Sequence, residues 1–247
     1  MTTSGRSAHR ARSFGRGAGA YRRARPPYPS EAIRWIAGDS ARRVLDLAAG
    51  TGKLTEGLLA LGFDVVAVEP DAGMRAELLA ALPGVIALPG TAESIPLDDG
   101  AVDAVLVAQA WHWFTAERAL PENVRVLRPA GRLGVAWNVR DHTRAWVEAF
   151  TQIIHREDSL EPLHGEPTLG NRFGPVERAT FTWAHRIPVA ELRTLAASRS
   201  HTLILAPAER DRLLDDVDAL AHTHPDLAGH AVIDLPYRTE CWRANLR

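Results

Sequence analysis

The stretch Val44-Leu-Asp-Leu-Ala-Ala-Gly-Thr-Gly-Lys53, with Val65-Val66-Ala67-Val68-Glu69 shortly after it, constrains this chain more than any other feature. A run of β-branched residues and leucine that breaks into small residues and then opens a helix is a strand-turn-helix unit. That unit is where open α/β sheets bind nucleotide-like ligands. The second run ends in an acid. Glu69 stands 23 positions after Asp46 and 17 after Gly52, about the separation at which such folds set a carboxylate against ribose hydroxyls. The pair points to an adenosine-containing ligand.

The rest of the chain continues the alternation. Strands are expected at 43–47, 64–69, 84–88, 102–107 and 132–137, with helices near 52–61, 72–81 and 115–126 between them. Short, continuously apolar strands separated by helices imply a mostly parallel sheet covered on both faces. Before this core, a short helix through Ile36 is expected, with Ser30 as its cap. After Asn138 the pattern changes. Residues 143–156 space Trp146, Ala149, Phe150, Ile153 and Ile154 as one helical face, and a Pro/Gly-rich loop occupies 159–175. A strand near 177–187 follows. A helix opened by Pro207 then turns Leu213, Leu214, Val217, Leu220 and Ala221 inward, and a last strand lies around 230–243. Without a repeat or an interdomain linker, residues 21–247 read as a single domain preceded by an Arg-rich arm at 1–20 that is expected to be flexible.

At 46% hydrophobic residues the chain can bury a substantial core, and a net charge of −1 argues against general binding to nucleic acid or a membrane surface. The single cysteine, Cys241, rules out an internal disulfide framework and fits a reducing compartment; no secretory apolar segment is seen, so a cytoplasmic location is expected. Lys53 is the only lysine. We read the arginine bias, seven of them in the first 30 residues, as coding composition before function. Self-association into a homodimer is left open.

Gly50-Thr51-Gly52 supplies two glycines of a dinucleotide fingerprint, but Thr55 holds the third position. A pyrophosphate crossing that backbone would favour glycine or alanine there, so the loop suits a ligand without phosphates whose carboxylate can meet amides at a helix start.

At these residues the chain resembles the class I S-adenosylmethionine-dependent methyltransferases, in particular the small-molecule group that includes ubiquinone/menaquinone-type and trans-aconitate-type enzymes. Asp46-Leu-Ala-Ala-Gly-Thr-Gly is similar to the first motif, Glu69 to the ribose-binding acid, Gly90-Thr-Ala-Glu-Ser-Ile-Pro to the adenine loop and Leu127-Arg-Pro-Ala-Gly-Arg-Leu to the turn before strand five. The resemblance spans about residues 21–243 and implies a Rossmann-like, seven-stranded, mostly parallel sheet with an antiparallel last strand. It also implies helices on both faces and a helical cap over the acceptor pocket, from about 139–175 and 188–221. S-adenosyl-L-methionine would be the cofactor and S-adenosyl-L-homocysteine the product. The implied cofactor-binding residues are Tyr21, Arg25, Asp46, Ala48, Gly50, Gly52, Glu69, Pro70, Met74, Thr91, Ala92, Glu93, Ala108 and Gln109. Two positions depart from the family pattern. Ala48 replaces a frequent glycine by a small residue, and Thr91 replaces an aspartate that reads the adenine amino group, so the Ala92 backbone or Glu93 would take over.

Trp111, Trp113, Tyr28, Trp137 and Trp146 are the candidates for the acceptor pocket, the first two able to face a sulfonium for about 0.5–2 kcal/mol of cation–π attraction. His112 is the candidate general base, since an unperturbed imidazole titrates near pH 6.5. Arg25 would meet a substrate carboxylate or the methionine end of the cofactor. His222 and His224 lack the further ligands of a zinc site, and Asp215, Asp216 and Asp218 read as a solvated helix face, so no metal is expected. The expected reaction is methyl transfer to a small molecule by in-line displacement. The rivals are a protein of the same fold that binds the cofactor without methylating and an NAD(P)-dependent oxidoreductase, the latter disfavoured by Thr55 and by the lack of a tyrosine-lysine pair.

Overall fold

A computed structural model describes residues 22, 25–156 and 166–247. The expected arm at 1–20, Tyr21 and residues 159–165 of the Pro/Gly loop lie outside them. Seven strands form one sheet in the order β3-β2-β1-β4-β5-β7-β6, mixed, with the last strands antiparallel. They are β1 Arg43–Leu47, β2 Asp64–Val68, β3 Ile86–Leu88, β4 Val102–Ala108, β5 Leu127–Arg140, β6 Glu177–Pro188 and β7 Val232–Asn245. The helices are α1 Ser30–Ala37, α2 Lys53–Ala60, α3 Ala72–Ala81, α4 Ala116–Val126, α5 Ala145–His155, α6 Glu191–Ala197, α7 Ser200–Ile204 and α8 Pro207–Thr223, with a 3-10 turn at Trp111–Trp113.

The central strands are parallel because each is apolar on both faces and covered by helices. Leu45 pairs with Val66 on one side and Val105 on the other, and all three are almost wholly removed from water. β1 has β2 on one flank and β4 on the other, so the chain winds outward to β3 and then restarts on the opposite side. That reversal opens a crevice beyond the carboxyl ends of β1, β2 and β4.

The described residues group into two compact units. One comprises residues 27–138, 166–181 and 239–247; α1 and α2 pack Ile33, Ile36, Leu54 and Leu58 against Val44, Leu106 and Cys241 in its core. The other comprises residues 22, 25, 26, 139–156 and 182–238. Its core gathers Trp146, Phe150 and Ile154 of α5, Leu192 and Leu195 of α6, Leu213, Leu214 and Val217 of α8, and Leu235 and Tyr237 of β7. Leu220, expected in the α8 stripe, is only partly buried against this core.

Three local expectations are corrected. Ser30 is the first helical residue, not the cap: Pro29 holds that position and no side chain caps the helix. β3 is shorter than 84–88, because Gly84 (φ 96°) bends the backbone into the left-handed region and Ile86, at 52% exposure, has little to pack against. In β5 continuous pairing with β4 begins at Arg132 after a register shift, and Ala130 has φ 61°. The short helices α6 and α7 were not expected.

The turn after β1 holds three residues in the left-handed region: Ala48 (φ 59°), Gly50 (φ 57°) and Gly52 (φ 84°). Size is therefore not the main issue at Ala48; a Cβ in this conformation costs about 1–2 kcal/mol. Gly52 has a further constraint, since a Cβ there would lie 2.8 Å from Leu78 Cγ. Gly52→Ala is expected to lower stability by about 2 kcal/mol or more, summing left-handed strain and overpacking against α3, and to lower the urea midpoint accordingly. A midpoint unchanged from the wild type would mean that the loop tolerates a side chain.

Candidate functional site

Glu69 follows β2 directly and is only 5% exposed. Its Oε2 accepts the Gly50 N–H at 2.9 Å and its Oε1 accepts the Asp71 N–H at 2.8 Å. One carboxylate thus ties the glycine turn of β1 to the start of α3. Each oxygen keeps a second lone pair, so two adjacent hydroxyls can still donate to it. Burial pushes this carboxyl above the usual range, opposed by the two amides. Arg75 Nη1 donates to the Glu69 and Pro70 carbonyls, at 2.7 and 2.9 Å, and the Asp71 side chain caps α3 by accepting the Met74 N–H. A Cβ on Gly50 would stand 3.7 Å from Met74 Sδ, so Met74 lies beside the glycine loop.

Asp46, on β1, is 1% exposed and accepts the Thr55 hydroxyl at 2.5 Å. Burial pushes its carboxyl up to about 7, with Thr55 holding it down and the nearby Glu69 charge adding to the rise. Thr55, which argued only against a pyrophosphate, is thus a partner that orients Asp46. Two buried acids acting on one another form a site that favours a cation.

Gln109 follows β4 directly and has φ 60°, strain of the kind that collects at functional sites. Its N–H donates to Ala136 O at 2.9 Å and its Nε2 to Asn138 O at 3.1 Å. Asn138 in turn accepts the Thr239 hydroxyl at 2.6 Å and donates Nδ2 to Pro27 O at 2.9 Å. Sequence reasoning did not single out Asn138 or Thr239; a polar pair at the change of pattern after Asn138 was the available signal.

In the Gly90-Pro96 loop, Thr91 and Ser94 exchange backbone hydrogen bonds, which turns Ala92 inward at 3% exposure. Glu93 Oε1 accepts the Thr115 N–H at 2.9 Å. Trp111 packs edge-on against Phe114, and His112, which is exposed, lies against Trp113 with ring centroids 4.5 Å apart. Ala108 is half-buried and Pro70 exposed.

The remaining candidates are dispersed. Trp137 is 1% exposed and packs edge-on against Trp242 in the first unit's interior. Tyr28 is half-buried against the α1–α2 core. Trp146 belongs to the second unit's core, and Arg25, in that unit, donates to Ser198 O at 3.3 Å. Asp215 and Asp218 pair with Arg193, and Asp216 with Arg156. Among the described residues no three His, Cys, Asp or Glu side chains converge on a metal site, and no helix is long and apolar enough to cross a membrane.

Comparison with known proteins adds the lineage. A methyltransferase domain family profile matches residues 45–135. An uncharacterized methyltransferase of Mycobacterium tuberculosis is 51% identical over 234 residues, covering 95% of this chain and 96% of the relative. An uncharacterized methyltransferase-like protein of Schizosaccharomyces pombe is 35% identical over 229 residues, 89% of this chain and 90% of that protein. A solved structure from Anaeromyxobacter dehalogenans has a TM-score of 0.68 at 24% identity over 90% of this chain and 97% of its own, a likeness of fold.

Proposed function

Because this chain belongs to the S-adenosylmethionine-dependent methyltransferases, we propose that it passes the donor methyl to a small organic molecule by in-line displacement. The observation that carries the site assignment is the pair of buried acids, Asp46 and Glu69, at the sheet's switch point. S-adenosylmethionine carries a sulfonium, an ammonium and a carboxylate, a net positive charge that such a site suits. In this reading Asp46 and the Gly50 and Gly52 backbone hold the methionine portion. Glu69 takes the ribose hydroxyls, Ala92 and Glu93 the adenine edge, and Gln109 lies near the sulfonium.

When bound, the donor supplies an electrophilic methyl carbon on a cationic sulfur. That carbon would be open to an acceptor's lone pair, the electrons of the carbon–sulfur bond returning to sulfur. The chain's task is to hold the two molecules collinear and away from water. Trp111 and Trp113 offer aromatic faces to the cation, and His112 takes the acceptor's proton where one must leave. The tryptophans of this segment favour an apolar or aromatic acceptor.

Incubation with methyl-labelled donor and, separately, a low-molecular-mass extract and a macromolecular fraction tests the acceptor class. Label is expected in small molecules. Label confined to protein or nucleic acid would overturn that class, while the methyltransferase assignment itself would stand.

A further inference from the structure

The loop between β3 and β4 carries Ala92 and Glu93, and within it Thr91 and Ser94 form a short bridge. Holding so irregular a segment in one conformation costs backbone entropy at every residue. Side chains of α4 offset that cost. Glu122 and Arg125, three residues apart near the end of α4 and both half-buried, form a fork-to-fork pair: Arg125 Nε donates to Glu122 Oε1 at 2.8 Å and Nη2 to Oε2 at 2.9 Å. From that pair the guanidinium reaches the loop. Nη2 also donates to Ile95 O at 2.8 Å, and Nη1 donates to Leu97 O at 2.6 Å and to Asp99 Oδ1 at 3.0 Å. Glu122 Oε2 in turn accepts the Ile95 N–H at 2.8 Å. Every N–H that a guanidinium possesses is thus used, and both backbone groups of Ile95 are held.

The Arg125 fork keeps the Glu122 carboxyl below the usual glutamate range, with the Ile95 amide acting in the same direction against burial. The loop is fastened at its other end as well, since Glu93 Oε1 accepts the Thr115 N–H immediately before α4. Pro96 lies on Gly90, where a Cβ would stand 2.5 Å from Pro96 Cδ, so the chain returns on itself around residues 91–95. The segment that presents Ala92 and Glu93 therefore takes its shape from α4. A lysine could not replace Arg125 here, because three N–H groups on one nitrogen cannot span Glu122, Ile95 and Leu97 together.

We propose that Glu122 and Arg125 are positioning residues for recognition of the adenine ring: they set the geometry of Ala92 and Glu93 and so decide how well the site tells adenine from another purine. This step rests on the reading above in which those two residues meet the adenine edge. In this role neither Glu122 nor Arg125 touches the cofactor; both act through the loop.

Calorimetry on the full chain with S-adenosylhomocysteine and its inosine counterpart, S-inosylhomocysteine, tests the proposal. The two compounds differ at the purine edge, where an amino group that donates is replaced by an oxygen that accepts. The wild type is expected to prefer the adenosine compound by about tenfold or more, since a hydrogen bond to a carboxylate is lost and two acceptors are opposed. Arg125→Ala and Glu122→Ala are each expected to lower that preference to about threefold or less by weakening S-adenosylhomocysteine alone; affinity for the inosine compound, which rests on Asp46 and Glu69, should stay within about threefold of the wild type. Arg125→Lys keeps the charge and loses the fork, is expected to fall between, and carries the test if the alanine variants do not fold. A loss of affinity shared equally by both compounds would make the pair a general support of the fold, and a preference that survives Arg125→Ala would mean the loop keeps its shape without it; either overturns the proposal. A wild type that binds both compounds equally would remove Ala92 and Glu93 from the adenine edge and this inference with them, while the methyltransferase assignment would stand.

Discussion

Glu69→Ala is expected to weaken binding of S-adenosylmethionine by about a hundredfold or more. A hydrogen bond to a charged group contributes about 1.5–3 kcal/mol, and two ribose hydroxyls would each lose one. The same carboxylate also accepts the Gly50 and Asp71 amides, so the alanine leaves two donors without acceptor and frees the glycine turn. Glu69→Gln separates these contributions only partly. Its amide nitrogen must face either a backbone N–H or a hydroxyl, so it too should bind poorly. S-adenosylhomocysteine carries the same ribose and should lose a similar factor, which distinguishes ribose contact from an effect at the sulfonium. Calorimetry on both compounds is the measurement, and an alanine variant within threefold of the wild type would remove Glu69 from the site.

Much of this fold could be read before any coordinates because the central strands are apolar on both faces. Val44-Leu-Asp-Leu and Val65-Val-Ala-Val imply a covered parallel sheet, and a helix over about 72–81 is legible from its composition, whereas its Asp71 cap came only with the structure. The short helices α6 and α7 escaped because neither has a side-chain cap and each is too short to show a helical period. The candidate site was legible as residue types and less so as partners. Thr55 could be read as a missing glycine but not as the donor that orients Asp46, since that depends on one helical turn meeting the strand before it. The contacts of His155 were beyond reach for a different reason. His155 lies 15 residues from Arg140 and 44 from Arg199, and nothing in local spacing predicts that both guanidinium groups meet one imidazole nitrogen.

Asp46→Asn is expected to make the unliganded protein more stable at pH 8 and a poorer binder of S-adenosylmethionine. Burial raises the Asp46 carboxyl from 3.8 to about 7, so the folded state retains a proton that the unfolded chain gives up above pH 4. Stability from this group is therefore greatest below pH 4, declines as the pH rises toward 7, and stays at its lowest value above that. Three pH units of displacement correspond to about 4 kcal/mol of penalty at pH 8, an upper figure for a single carboxyl. Asparagine keeps an oxygen for the Thr55 hydroxyl and carries no charge to desolvate, so most of that penalty should disappear at pH 8 and little should change at pH 4. The cost falls on function. In the proposed site a charge held without water would attract the cationic end of the cofactor, and its loss should weaken binding by about tenfold or more, a hydrogen bond to a charged group being worth about 1.5–3 kcal/mol. Wild-type affinity should also rise between pH 5 and 8 as Asp46 releases its proton to solvent and can meet the bound cation as a carboxylate, and the asparagine variant should lose that slope. Urea unfolding at pH 4 and 8 with calorimetry across the same range reads both effects. An asparagine variant less stable than wild type at pH 8, with the pH slope of binding intact, would show that Asp46 supports the strand and has no part in holding the cofactor.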